Sequence, residues 1–312
     1  MNRSSSNKIR VLIVGANGFI GRHLSATLAK DKQLAVTLFS RKFSEELRTG
    51  IRDAADFIIG DITDATALQR AIAGKDVVYH LVSASVASSN WHSPQTEIED
   101  NLLPSLNLIE ICCKEGVKKI VFTSSAGTVY GMRSTVCTEN DVLHPYSPYG
   151  IIKVTIENFL EHYRVKCGLA YDVYRISNPY GPGLDKQGFG VINTWIKSAI
   201  KGKELKIYGD GKASKDYIYI DDVISALNVS LENLGHSNIF NLASGEVSSL
   251  NDIIKVIKKV YRKDVVVKYV DGPKSDNKIV RVSNVKLQQY QIKKSYVLLE
   301  DGIRRTILHY DT

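Results

Sequence analysis

Tyr149 and Lys153 stand four residues apart in the stretch Ser147 to Tyr163, SPYGIIKVTIENFLEHY. Ser147 followed by Pro148 reads as a helix start, which puts the phenol and the ammonium on one helix face, one turn apart. A cation beside a phenol favours the phenolate. A free tyrosine, with a pKa of about 10, is ~0.1% ionised at pH 7, and a lowering of about 3 units, worth roughly 4 kcal/mol, makes it half ionised. The pair therefore reads as a tuned general acid/base. The pattern Y-x-x-x-K occurs three times, at Tyr149/Lys153, Tyr208/Lys212 and Tyr290/Lys294. Only the first opens a helix after a strand and a serine-rich loop, so the other two are expected to be surface pairs.

A second cluster lies in Lys8 to Leu28, KIRVLIVGANGFIGRHLSATL. Ile9 and Val11 to Val14 form an apolar run of strand length, and Ile20, Leu24 and Leu28 follow at helical spacing. Gly15, Gly18 and Gly21 lie between, with Asn17, Phe19 and Ile20 among them. A strand that turns on glycine into a helix offers bare N–H groups and the positive end of a helix dipole, which suits a pyrophosphate. Three glycines at this spacing are weak alone and gain meaning from the strand and helix on either side.

The elements that position these clusters alternate. Gln33 to Lys42 reads as a second strand ending in Ser40, Arg41 and Lys42. An acidic residue at that end would accept hydrogen bonds from an adenosine ribose, and none is present. Two readings stand: Arg41 and Lys42 pair with a 2′-phosphate, or they form a solvated basic loop. Asp56 to Ile59 is expected to be a strand ending in Gly60-Asp61-Ile62, Ala67 to Ile72 a helix, Val77 to Val82 a strand and Asn101 to Cys113 a helix. His80, inside a strand, is expected to be a packed core residue. Lys119 to Thr123 opens onto SSAGTVYG, and Tyr171 to Ile176 ends in NPYGPG. The alternation demands a parallel sheet with right-handed crossovers. Glycine and proline density between Pro179 and Gly190 marks a change of organisation. Beyond it, Phe189 to Ile200 reads as a helix, Leu205 to Tyr208 as a short strand, and Lys215 to Asp222 as a strand turning into a helix with Asp221 as its N-cap. Ile239 to Leu242 reads as one more buried strand, so the expected division is 1–177 and 178–312, with a strand near 238–244 returning to the first domain.

The 312 residues, 44% apolar and 24% charged, are those of an ordinary soluble chain. The net charge of +8 is spread over pairs such as Lys118-Lys119, Lys258-Lys259 and Arg304-Arg305 without aromatic interleaving, which argues against nucleic acid. Cys112, Cys113, Cys137 and Cys167 show no C-x-x-C spacing, and free thiols with neither disulfide nor metal site are expected. No apolar run approaches membrane length and the polar N-terminus lacks a signal-peptide pattern, so a cytoplasmic protein with no membrane partner is expected.

Taken together, GANGFIG, SSAGTVYG, YGIIK, RISNPYGPG and KDYIYIDD resemble, in order and spacing, the extended short-chain dehydrogenase/reductases, and specifically the nucleotide-sugar epimerase/dehydratase family. The resemblance spans nearly the whole chain. It implies an α/β fold: a doubly wound Rossmann domain of about seven strands that holds NAD or NADP, with a smaller C-terminal domain clamping a nucleotide-sugar. By the same resemblance Gly15, Gly18 and Gly21 match the pyrophosphate turn, Asp61 and Ile62 the adenine contact, Tyr149 the catalytic acid/base, and Lys153 the residue holding the nicotinamide ribose. Asn178 resembles the contact to the sugar-nucleotide phosphate. Counting forward from the strand selects Ser125 as the catalytic hydroxyl. Counting back from Tyr130-Gly131 falls on Ala126, and Ser124 is held in reserve. Lys215 stands where many members have Arg, which keeps the charge and gives up bidentate phosphate binding.

The resemblance implies hydride transfer at C4 of a nucleotide-activated hexose. The leading expectation is reduction of a nucleotide-linked 4-keto-6-deoxyhexose for surface polysaccharide of the O-antigen type, with NADP(H) preferred and NAD(H) as the other cofactor. The alternatives are a 4-epimerase of a UDP-hexose or UDP-N-acetylhexosamine with bound NAD, and a non-catalytic dinucleotide sensor, which would have no reason to keep the Ser, Tyr and Lys set. A 4,6-dehydratase is not expected, because Ala126 and Gly127 stand where dehydratases of this family carry an acidic pair. The other expected partner is a second copy of the chain, in a homodimer.

Overall fold

The structure is a computed structural model and describes residues 8–85, 93–133, 135–184, 190–271, 280–290 and 295–311. In chain order, β1 (Ile9–Val14), α1 (Phe19–Leu28), β2 (Leu34–Ser40), α2 (Glu45–Ile51), β3 (Ala55–Ile59), α3 (Ala65–Ile72) and β4 (Val77–His80) alternate strand with helix. A short α4 (Pro94–Glu97) runs through a π-helical turn, Ile98–Leu102, into α5 (Leu103–Lys114), followed by β5 (Lys119–Ser125) and the single turn α6 (Ala126–Val129). Then come β6 (Val136–Cys137), the long α7 (Pro148–Cys167), β7 (Ala170–Ile176), β8 (Asn178–Tyr180), α8 (Val191–Ile200), β9 (Leu205–Tyr208) and β10 (Ser214–Tyr219). The remainder is α9 (Ile220–Val229), β11 (Asn238–Leu242), β12 (Val247–Ser249), α10 (Leu250–Tyr261), β13 (Val267–Val270), β14 (Arg281–Val282), α11 (Val285–Gln289) and α12 (Leu299–Tyr310).

Seven strands form one sheet in the order β11-β7-β5-β4-β1-β2-β3. β1 pairs in parallel with both β2 and β4, so the strand order reverses direction there, and ligands of such sheets bind beyond the carboxyl ends of the strands at that point. Val11 to Val14 are completely buried, as expected of a central strand covered on both faces. The chain divides into two compact units. The first holds residues up to Val129 with Pro145–Arg175 and Ala226–Phe240; the second holds Tyr130–His144, Ile176–Ser225 and the chain from Asn241 onward. Residues 130–144, which a single boundary near 177 leaves in the first domain, thus group with the second unit, where β6 pairs with β14.

Several local expectations need correction. α9 begins at Ile220, so Asp221 lies inside its first turn, with Asp222, and is not its N-cap; both carboxylates still suit the positive end of the helix dipole. β4 stops at His80, and the helix read from Asn101 starts as a π turn. Phe189, expected to open a helix, lies outside the described residues, and α8 starts at Val191. The cysteines are not all free: Cys113 and Cys167 form a disulfide, with Cα atoms 6.2 Å apart, while Cys112 and Cys137 are free and buried. These two residues are 54 apart in sequence, and only the packing of α5 against α7 brings the helix ends together.

His80 is buried, its Nε2 2.8 Å from the Ser105 hydroxyl. Burial, with the Lys153 charge second, pushes its pKa down to about 3. Below the ordinary imidazole value of about 6.5 the unfolded chain takes up a proton that the folded one refuses, so folding stability falls as pH falls through that window. His80→Gln is expected to remove a slope of about 1.4 kcal/mol per pH unit between pH 6 and 4, measured by urea unfolding. A variant with the wild-type slope would show that other groups control acid stability.

Candidate active site

The glycine turn is built by its own backbone. Gly15 has φ +91°, and a Cβ on Gly21 would stand 2.2 Å from the Gly15 carbonyl oxygen, so the turn closes only with glycine at both places. α1 follows with Gly18 as N-cap, no side chain capping it and no acidic residue in its first turn, which leaves its N-terminal amides for an anion. The Asn17 side-chain oxygen accepts from the Ser44 amide at 3.0 Å, which folds the segment after β2 back onto the turn. Arg41 and Lys42 in that segment are exposed, and the Arg41 charge reaches Asp61. Asp61 is held below the usual carboxylate range, chiefly by the Thr63 amide, with the Thr63 hydroxyl second. Ile62 is buried beside it.

Ser147 caps α7 by accepting from the Gly150 amide at 3.1 Å, with Pro148 in the first turn. A Cβ on Gly150 would lie 2.8 Å from the Thr128 carbonyl oxygen, so glycine lets the first turn of α7 press against α6, just past the end of β5. Lys153, 5% exposed, donates to the Thr123 carbonyl at 2.9 Å, and its Nζ lies 4.7 Å from the Phe122 ring centre and 5.4 Å from that of Tyr149. Burial lowers its pKa to about 8, against the charges of Glu157 and Glu97.

The expected half-ionised phenol is not found. Tyr149 keeps some exposed surface, but its hydroxyl end is enclosed, and burial raises its pKa to about 12. The Ser83 and Ser125 hydroxyls oppose that rise and the Glu97 charge adds to it. Lys153 meets the ring rather than the oxygen, so desolvation wins and Tyr149 carries its proton at neutral pH.

Of the two candidate hydroxyls, Ser124 donates to Glu157, and Ser125 is the one that meets Tyr149. Glu157 also takes a buried ion pair from Arg175, with a contact of 2.7 Å. Residues 149, 153 and 157 thus form one stripe on α7, and the spacing alone would have found Glu157. Ser83, Glu97 and Asn101 were missed as well; Glu97 and Asn101 are one helical turn apart, but nothing local ties them to Tyr149. Asn178 and Lys215 lie in the second unit, on the paired strands β8 and β10. The Asn178 amide donates to the Asp216 carbonyl at 2.8 Å, and Lys215 is exposed. Tyr208 is exposed and Lys212 pairs with Asp210, a surface arrangement; Lys294 of the third Y-x-x-x-K lies outside the described residues.

A doubly wound sheet with a glycine turn at β1 and a tyrosine–lysine pair on α7 defines a dinucleotide-binding oxidoreductase fold of the short-chain type. The chain belongs to the NAD dependent epimerase/dehydratase family, whose pattern it matches over residues 11–243. Its fold is similar to that of the UDP-glucose 4-epimerase of Thermotoga maritima solved with UDP-glucose, at 30% identity and a TM-score of 0.87, covering 96% of this chain and 98% of that one. The Thermus thermophilus UDP-glucose 4-epimerase in complex with NAD aligns with a TM-score of 0.87 at 27% identity, over 96% and 98% of the two chains. The dTDP-4-dehydro-6-deoxyglucose reductase of Escherichia coli is 28% identical over 97% of this chain and 98% of its own. Among the described residues, no helix is long and apolar enough to cross a membrane.

Proposed function

We propose that this protein reduces a nucleotide-linked 4-keto-6-deoxyhexose at C4 with NADPH, in the making of a surface polysaccharide. The observation that carries the choice of cofactor is the exposed Arg41-Lys42 pair, tied to the glycine turn through Asn17 and Ser44, with no carboxylate at the end of β2. The uncapped turn of Gly15, Asn17, Gly18, Phe19, Ile20 and Gly21 fits a dinucleotide pyrophosphate. Asp61 and Ile62 would hold the adenine, Lys153 the nicotinamide ribose and Arg41 a 2′-phosphate. When bound, the reduced nicotinamide supplies the hydride for C4. Tyr149, protonated at neutral pH, gives its proton to the C4 oxygen, while Ser125 orients that oxygen and the Lys153 cation stabilises the phenolate left behind. Asn178 and Lys215 would meet the nucleotide phosphates. Ile151 and Phe159, eight residues apart on the outer face of α7, are 47% and 37% exposed, which supports pairing of two copies there.

A second reading is a 4-epimerase of a UDP-hexose or UDP-N-acetylhexosamine with bound NAD. It draws support from the number of UDP-sugar 4-epimerases among the similar proteins. Incubation with a 4-keto-6-deoxy nucleotide-sugar and NADPH is expected to consume NADPH in proportion to product. Interconversion of a UDP-hexose with its C4 epimer, without added cofactor and without NADPH loss, would establish the second reading instead. Arg41→Ala is expected to erase most of an NADPH preference, since one charge-assisted phosphate contact is worth about 1.5 to 3 kcal/mol, roughly 10- to 150-fold. Equal wild-type affinities for NADPH and NADH, or an unchanged ratio in the variant, would refute the cofactor assignment.

A further inference from the structure

Glu97 is 1% exposed and has no part in the chemistry above. One of its oxygens accepts from the Ser85 hydroxyl and from the Asn101 amide, each at 2.8 Å, while Oε1 is buried with no hydrogen-bond partner among the described residues. The Asn101 side chain in turn accepts from the Ala84 amide at 2.8 Å, and the Ser83 hydroxyl donates to the Ser85 carbonyl at 2.9 Å. Asn101 sits in the π-helical turn, a distortion that recurs at functional sites, and its carbonyl accepts from Ser105 at 2.6 Å. These bonds join the Ser83–Ser85 segment and the π turn around one buried carboxylate, and Ser83 meets Tyr149.

We propose that Glu97 is a positioning residue for the Tyr149/Lys153 pair: it anchors the Ser83–Ser85 segment through Ser85 and Asn101 and sets a negative charge close to both members. The inference rests on the reading of that pair as the proton-exchanging site. A buried carboxylate held by two neutral donors on one oxygen is not neutralised by a cation there, and in a dry interior its charge reaches further than in water. It adds to the rise that burial causes at Tyr149 and, after Glu157, opposes the fall that burial causes at Lys153, in a pair whose members both hold their protons at neutral pH, the state that donates to a ketone. Among the described residues, the other groups facing the pair are Glu157 of α7, held by Arg175 of β7 and Ser124 of β5, the neutral His80 of β4, and the hydroxyls of Ser83 and Ser125.

The test is the pH dependence of NADPH binding, read by cofactor fluorescence between about pH 6 and 10, which requires no turnover. Burial lowers the Lys153 pKa to about 8, so affinity is expected to fall as pH rises through that region in the wild type. In Glu97→Gln, which keeps the shape and loses the charge, the midpoint is expected to drop by about one unit. Glu97→Asp, which keeps the charge, is expected to stay within a few tenths of a unit of wild type. Hydrogen exchange at the Ala84 amide is expected to rise at least tenfold in Glu97→Ala and to remain near wild type in Glu97→Gln. A wild-type midpoint in Glu97→Gln, or unchanged Ala84 exchange in Glu97→Ala, would overturn the proposal. If the midpoint moves and exchange rises but no C4 substrate is turned over, the proposed reaction fails while the role of Glu97 stands.

Discussion

Tyr149→Phe is expected to lower turnover at least ~100-fold while cofactor affinity stays within about twofold of wild type, because the change removes one phenolic oxygen and its proton and nothing else. The ring still packs against Lys153, whose own bond to the Thr123 carbonyl is untouched, so the site keeps its shape. In the proposed reaction the effect belongs to kcat rather than to binding, since a proton held at neutral pH is needed only as charge builds on the substrate oxygen. Single-turnover rates with saturating cofactor read this directly. Activity within about tenfold of wild type would remove Tyr149 from the acid/base role.

Lys119→Met is expected to destabilise the first unit by about 3 to 5 kcal/mol, the cost of leaving a buried carboxylate without its cation. Lys119 on β5 is 1% exposed, and its ammonium donates to Asp172 of β7 at 2.8 Å and to the Asn233 carbonyl at 2.6 Å. Both strands lie in the sheet whose ends carry Ser125 and Arg175, so the pair supports the floor of the site rather than its chemistry. Adding Asp172→Leu is expected to restore most of the loss, because two apolar side chains need no compensating charge. Urea unfolding of the single and double variants measures both terms. A single variant that loses less than about 1 kcal/mol would mean that water reaches Asp172.

The alternation of strands and helices, and the places where chemistry could gather, are already legible in the order of residues. Hydrophobic period, glycine and helix capping act within a few residues, so β1, the Gly15–Gly21 turn and the capped start of α7 were legible with Tyr149 and Lys153 already one turn apart. The parallel order around β1 followed from the same alternation. What burial and long-range contact decide was not legible. Lys153 was expected to lower the Tyr149 pKa, but packing places the ammonium against the ring and encloses the hydroxyl, so desolvation raises it instead. The choice between Ser124 and Ser125 depended on Glu157, more than thirty residues away, which engages the first and leaves the second to Tyr149. Cys113 and Cys167 meet only because α5 and α7 pack side by side, and Glu97 reaches the site only because the π turn and the segment after β4 fold around it. Short-range pattern puts Tyr149 and Lys153 one turn apart on one helix; the three-dimensional fold decides their protonation, their partners and the charges that surround them.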